Sequence, residues 1–164
     1  MMFKVGDRIV HPMHGAGVVE NLEKRGEQKQ IYFVLRLSSG NLKVLVPADR
    51  TDEIGVRRVI KENEISSVLK VLKKDDQEKI IPNWNHRYRA NLEKIRTGNV
   101  FAVAEVVRTL MRQDHRKGLS SGEKRMLESA FQILSSELVL AGDLDTGEVE
   151  TLIREAVTEA VAEG

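Results

Sequence analysis

An α+β architecture, a small antiparallel β barrel followed by a compact helical bundle, is what this 164-residue chain predicts. Three observations predict it. Residues 6–47 hold four short β-rich runs separated by glycine-containing or polar breaks. After Asp52 the apolar positions switch to three-to-four spacing. The breaks between the later apolar runs carry helix caps instead of hairpin turns.

The first run, GDRIVH (6–11), ends at Pro12, which has no amide to donate to a ladder. His14-Gly15-Ala16-Gly17 reads as a turn and leads into VVENLEKR (18–25). A polar stretch, Gly26 to Lys29, precedes QIYFVLRLS (30–38), and Ser39-Gly40-Asn41 reads as a tight turn into LKVLVP (42–47). Four short strands so tightly joined suggest a small barrel or curled sheet of SH3-like or Tudor-like type. So short a segment has little core of its own and is expected to lean on a neighbouring helix. Its edge strand is a natural place for another protein's strand to pair.

Beyond Asp52, Val56, Val59, Ile60, Ile65, Val68, Leu69 and Leu72 follow helical spacing. KKDDQEK (73–79) reads as a linker. Pro82 fits the first turn of a helix that runs to about Arg96 and stops at Thr97-Gly98. Asn99 caps a helix carrying Val100, Val103, Val106, Val107, Leu110 and Met111, which ends at Lys117-Gly118. Ser120 and Glu123 have capping-box spacing before a helix bearing Met126, Leu127, Ala130, Phe131, Leu134 and Leu138. Gly142 ends it, and Asp145 with Glu148 marks a last amphipathic helix, Val149 to Ala162. The expected division is therefore 1–52 for the β module, 53–81 for a helix and linker, and 82–164 for the helical domain with its acidic last helix.

Composition excludes several classes of function. With 41% hydrophobic and 31% charged residues the chain is an ordinary soluble one. It has no cysteine, so disulfide and thiolate chemistry are excluded, and a reducing cytoplasm fits. MMFKVGDRIV has no apolar run of signal-peptide length, and no stretch approaches 18 apolar residues. There is no P-loop, no Gly-x-Ser-x-Gly and no paired-cysteine metal site. Gly15-Ala16-Gly17 lacks the third glycine of a dinucleotide fingerprint and leads into a strand. His11 and His14 have no third ligand nearby in sequence. Asp114-His115 lies at the basic end of a helix, where His115 complements the C-terminal dipole. No catalytic residue, metal or cofactor is expected.

The net charge of +1 hides a segregation. Residues 82–126 hold ten Lys and Arg against four acids, whereas residues 127–164 hold nine acids against Arg154 alone. A basic block is the electrostatic footprint of a polyanion partner, although exposed helix charges give the same count. Within the block, PNWNHRYRANLEKI (82–95) contains the single tryptophan, Trp84. An aromatic ring among guanidinium groups suits stacking on bases beside phosphates. A buried core tryptophan with a solvated arginine face is the reading that composition alone favours, because Trp is usually mostly buried. Leu92 and Ile95 read as core, and Tyr88 either braces the Trp84 ring or packs inward. Arg108, Arg112, Arg116 and Lys117 either extend a phosphate track or form a solvated face.

FKVGDRIVHPMHGAGVVE (3–20), LKVLVP (42–47), GVRRV (55–59), NWNHRYRANLEKIRTGNVFAVAEVVRTL (83–110) and GLSSGEKRMLESAFQIL (118–134) together resemble the CarD/CdnL family of bacterial transcription regulators, over the chain to about residue 141. The resemblance implies a Tudor-like module that binds the RNA polymerase β subunit, akin to one in the transcription–repair coupling factor. It implies a helical domain on promoter DNA, in the minor groove near the upstream fork of the −10 region, and no catalytic activity. It implies action on the lifetime of the open promoter complex. Trp84 aligns with the family's tryptophan wedge, His86 and Arg89 with basic DNA-contacting positions, and Arg87 lies beside them. Arg25 matches a polymerase-contact position. The chain departs from the family at Leu45, where better-known members have a second basic contact; Lys43 stands two residues earlier on the same strand face. The competing class is a protein–protein adaptor without DNA contact, because Trp and Arg are also interface hot spots. An RNA-binding barrel has less support, since Phe3, Tyr32 and Phe33 form no alternating stacking face.

Overall fold

The computed structural model describes residues 2–38, 42–75 and 83–163, with side chains as far as residue 159. Five strands form one antiparallel sheet in the order β4-β3-β2-β1-β5: β1 Arg8–His11, β2 Gly15–Arg25, β3 Gln30–Leu37, β4 Lys43–Pro47 and β5 Arg57–Arg58. The helices are α1 Thr51–Ile54, α2 Ile65–Lys73, α3 Trp84–Arg96, α4 Val100–Arg116, α5 Ser121–Gly142 and α6 Thr146–Glu163. The Tudor-like sheet followed by helices agrees with the expected fold class. The Ser39-Gly40-Asn41 turn and Pro82 lie outside the described residues, and the helix expected to open at Pro82 starts at Trp84.

Alternation decides which residues form the sheet's own core, while Val10, Ala16 and Val34 on the other face are buried as well. Phe33, Leu35 and Leu37 of β3 and Val46 of β4 point to one side, where they meet Phe3, Ile9, Val19 and Val56. The opposite face carries Tyr32, Val34 and Arg36, paired across to Pro47, Leu45 and Lys43. A bulge between Val19 and Asn21 leaves Glu20 out of the ladder, and its carboxylate meets Lys43 at 3.0 Å.

Four expectations change. Val56 to Ile60 are not helical; Arg57 and Arg58 pair with Val10 and Ile9 as a fifth strand. The sheet therefore extends past the expected boundary at residue 52. Gly15 to Gly17, read as a turn, already belong to β2 and pair with His11 through Ile9. Of the expected linker 73–79, Lys73 belongs to α2, and residues 76–79 lie outside the described residues.

The sheet leans on a helix, as its size requires, but one from the far end of the chain. Ala16 N–H donates to Ser136 Oγ of α5 at 2.9 Å. Arg57 forms a two-pronged pair with Glu137 at 2.6 and 2.8 Å, and Glu137 also accepts from Ile60 N–H at 3.0 Å. Arg8 donates to Leu140 O and to Asp143 at the end of α5. The second core lies among α2 to α6 and includes Val68, Leu72, Ile95, Val107, Leu110, Leu134, Leu138 and Ile153. Helix α5 thus contributes to the helical core and holds the sheet against it through polar contacts.

Candidate nucleic-acid interface

Helix α3 starts at Trp84 because Asn83 caps it: its side chain accepts from Asn85 N–H at 2.9 Å and His86 N–H at 3.3 Å. Apolar residues are sparse on α3, and only Asn91 and Ile95 are buried on it. Position N1 of such a helix lies beyond the bundle core, so Trp84 keeps 44% of its surface exposed. Its ring stacks on Tyr88, with centroids 5.5 Å apart and planes 26° apart. Tyr88 in turn packs against the helical core, so it fills both roles that the sequence left open.

The indole Nε1–H donates to Ser120 Oγ at 3.0 Å. Ser120 is the N-cap of α5, accepting from Glu123 N–H at 3.2 Å and donating to Glu123 Oε1 at 3.1 Å. The N-termini of α3 and α5 therefore meet at Trp84, and with them the positive ends of two helix dipoles. No side chain at position 122 separates the rings from the first turn of α5. A Cβ on Gly122 would lie 3.6 Å from the Trp84 ring and 3.8 Å from that of Tyr88.

Glu123 is buried, and its carboxylate accepts from Arg87 Nε at 2.9 Å, Arg87 Nη2 at 3.2 Å and Gln113 Nε2 at 3.4 Å. Burial pushes its pKa up, but the hydrogen bonds from Arg87 and Ser120 and the Arg87 charge outweigh this. The carboxyl is held below its usual range.

The four candidate residues on α3 thus separate. Trp84, His86 and Arg89 are exposed, and Arg89 has no ion pair among the described residues. Arg87 is half-buried and engaged with Glu123. Two further exposed cations, Lys124 and Arg125, lie in the first turns of α5. Sequence reading counted them in the basic block but had no means of linking them to Trp84; the Ser120 cap makes that link. Arg108 and Arg112 are neither on a phosphate track nor on a solvated face. Arg108 is buried and donates to Val71 O at 2.7 Å, while Arg112 donates to Lys74 O at 2.7 Å and Leu72 O at 3.1 Å. They satisfy the last carbonyls of α2. Arg116 and Lys117 are exposed.

On the sheet, Arg25, Lys43 and Leu45 share the face away from the core, but they are not gathered together. Arg25 pairs with Gln30 and Lys43 with Arg36, six residues along β3. At about 3.3 Å per residue that separates them by roughly 20 Å. Arg25 bonds Glu23 at 3.1 Å, and Leu45 is half-buried opposite Val34. Lys43 and Leu45 lie on β4, an outer strand of the sheet, with Leu45 between the two cations.

Residues 3–60 match the family model described as "CarD-like/TRCF RID domain", and residues 67–154 match "CarD, C-terminal domain". The chain belongs to the CarD-like family. A Bacillus subtilis (strain 168) protein that bears the name "Putative transcription factor YdeB" is 39% identical over 139 residues, 84% of this chain and 90% of that protein. Transcription regulation is thus the function of this CarD-like protein's class. The N-terminal family match ends at residue 60, just past β5, in agreement with the five-stranded module. The C-terminal match takes in Trp84, Ser120 and Glu123 together. Among the described residues, no helix is long and apolar enough to cross a membrane.

Proposed function

We propose that this CarD-like protein binds the RNA polymerase β subunit through its Tudor-like sheet and stabilises the open promoter complex. In this reading Trp84 wedges into the minor groove at the upstream edge of the bubble. Support comes above all from one observation: the single tryptophan stands 44% exposed at the junction of two helix N-termini. A duplex at the edge of a bubble has already lost one stacking neighbour, so inserting a ring there costs less unstacking than inside intact DNA. Arg89, Lys124 and Arg125 are available as phosphate contacts, and His86 as a polar one; such contacts set register and carry little sequence information. Arg25, Lys43 and Leu45 on the outward sheet face are the proposed polymerase contacts. The β4 edge offers main-chain pairing that does not depend on a basic residue at position 45. Tethering through the sheet raises the local concentration of the helical domain at the promoter, so weak DNA contacts suffice.

The wedge acts only through tighter binding to melted than to closed DNA. Stacking on one base is worth about 1–3 kcal/mol by alanine substitution. Trp84→Ala is therefore expected to shorten open-complex lifetime about fivefold to a hundredfold, with polymerase affinity unchanged. Lifetimes equal to wild type would refute the wedge. In parallel, anisotropy titrations compare forked with fully paired promoter DNA. Preference for the fork supports the proposal, and absence of DNA binding beside intact polymerase binding would point to a protein–protein adaptor.

A further inference from the structure

We infer that Ser120, held in turn by Glu123 and Arg87, is a positioning residue that sets the outward pose of the Trp84 indole. The inference rests on the proposed role of that ring. It also moves Arg87 away from the nucleic-acid surface: Arg87 acts on the indole through Glu123.

The geometry is a closed loop. It runs from Trp84 Nε1–H to Ser120 Oγ (3.0 Å), from Ser120 Oγ to Glu123 Oε1 (3.1 Å), and from Glu123 Oε2 to Arg87 Nε (2.9 Å). Arg87 then returns it to α3, three residues after Trp84. A serine hydroxyl has one donor and two acceptor sites. Here the donor goes to Glu123 Oε1, and the acceptors take Trp84 Nε1–H and Glu123 N–H, so the hydroxyl has no freedom to turn away. Glu123 is anchored too: its side chain is 2% exposed, and the planar guanidinium meets it with two nitrogens. Tyr88 supplies a second constraint through its stacked ring.

Ring orientation is thus settled during folding, before any duplex arrives. Immobilising a rotamer-rich side chain at an interface otherwise detracts from binding. A pre-set indole avoids that loss, and the benefit would appear in the stability of the open complex.

Because Trp84 is the single tryptophan, its fluorescence tests the loop directly in the full-length protein. Arg87→Ala and Glu123→Gln leave the Ser120 hydroxyl and its helix cap in place while breaking the brace. Both are expected to speed indole motion in time-resolved anisotropy, raise acrylamide quenching, and shorten open-complex lifetime about two- to tenfold, the range set by freeing one such side chain. Ser120→Ala should do the same, and Ser120→Thr, which restores a hydroxyl, should return all three readouts toward wild type. If Arg87→Ala fails to fold by circular dichroism, Arg87→Lys replaces it, keeping the charge while losing the fork. Wild-type indole motion and quenching in both the Arg87 and Glu123 variants would overturn the inference. So would a reduced salt slope of DNA binding in the Arg87 variant with the indole undisturbed, because Arg87 would then contact phosphate. Should the brace variants free the ring while Trp84→Ala leaves the open complex unaffected, the wedge reading falls and the brace stands.

Discussion

A tryptophan with nearly half its surface in water needs something other than burial to hold it, and at Trp84 that is one hydrogen bond and one stacked ring. Spacing alone left Trp84 open between core and surface, because a ring at the first helical position has no turn before it to reveal its face. Arg87 and Arg89 differ for a related reason. Two residues apart on a helix they point different ways, and only the approach of α5 gives one of them a buried carboxylate. His11 carries a prediction at this scale. Burial first, and the charge of the neighbouring His14 second, lower its pKa from 6.5 to about 4, while its Nδ1 accepts from Met13 N–H. The unfolded chain therefore takes up this proton more readily than the folded one. The contribution to stability is intact above about pH 6.5 and is lost as pH falls toward 4. Urea midpoints at pH 7.5 and 4.5 should fall less for His11→Asn, whose amide oxygen can still accept from Met13, than for wild type. Equal falls would show that His11 is not the group responsible.

The glycines of β2 show how an element can be right in kind and wrong in extent. Gly15-Ala16-Gly17 suggested a turn, since glycine tolerates positive φ, and Gly15 does adopt +93°. Yet it sits there as the first residue of a strand pressed against α5, where a Cβ would lie 2.7 Å from Ser136 Oγ. Gly17 is glycine for a different reason: a side chain there would run into the Arg36 carbonyl of β3. Gly17→Ala should therefore part β2 from β3, with a loss of at least about 1–3 kcal/mol in chemical denaturation, the usual result of forcing atoms into a packed site. A loss within 0.5 kcal/mol, as at ordinary surface sites, would mean that the two strands give way easily. Residues 56–60 misled for the opposite reason. Val56, Val59 and Ile60 have helical spacing, but Val56 feeds the sheet core and Ile60 the helical core. Two apolar residues divided between two cores, with Val59 in neither, mimic one amphipathic face.

Across the whole molecule, the sheet and the helices are joined by an ion pair, half-buried at Arg57 and buried at Glu137, that ties β5 to the C-terminal part of α5. Glu137 is 2% exposed at its side chain, and Arg57 also donates to Gly98 O at 2.6 Å, in the turn between α3 and α4. Arg57 therefore touches the sheet, the helix that ends near it and the spine of the bundle. Removing one partner of a buried pair leaves an uncompensated charge and typically costs about 3–5 kcal/mol. Arg57→Ala should lower unfolding free energy by an amount near that range, and adding Glu137→Ala should cost far less than a second loss of the same size. Additive losses would show that the two side chains act independently. If the proposed polymerase and DNA contacts both hold, this joint also fixes the distance between them, so Arg57→Ala is a test of rigid coupling.

By itself the sequence determined the α+β class, most helix boundaries and the family. These rest on local causes: period two against period three to four, the caps Asn99 and Ser120, and motifs in a fixed order. Only the tertiary structure decided that β5 exists, that α5 is the helix that holds the sheet, and which arginines are spent internally. Arg57, Arg87, Arg108 and Arg112 look alike in a charge count, yet each is engaged by a carboxylate or carbonyl at least 36 residues away in sequence. Charge is a property of composition, whereas its availability to a partner depends on which distant acceptor folding brings within 3 Å.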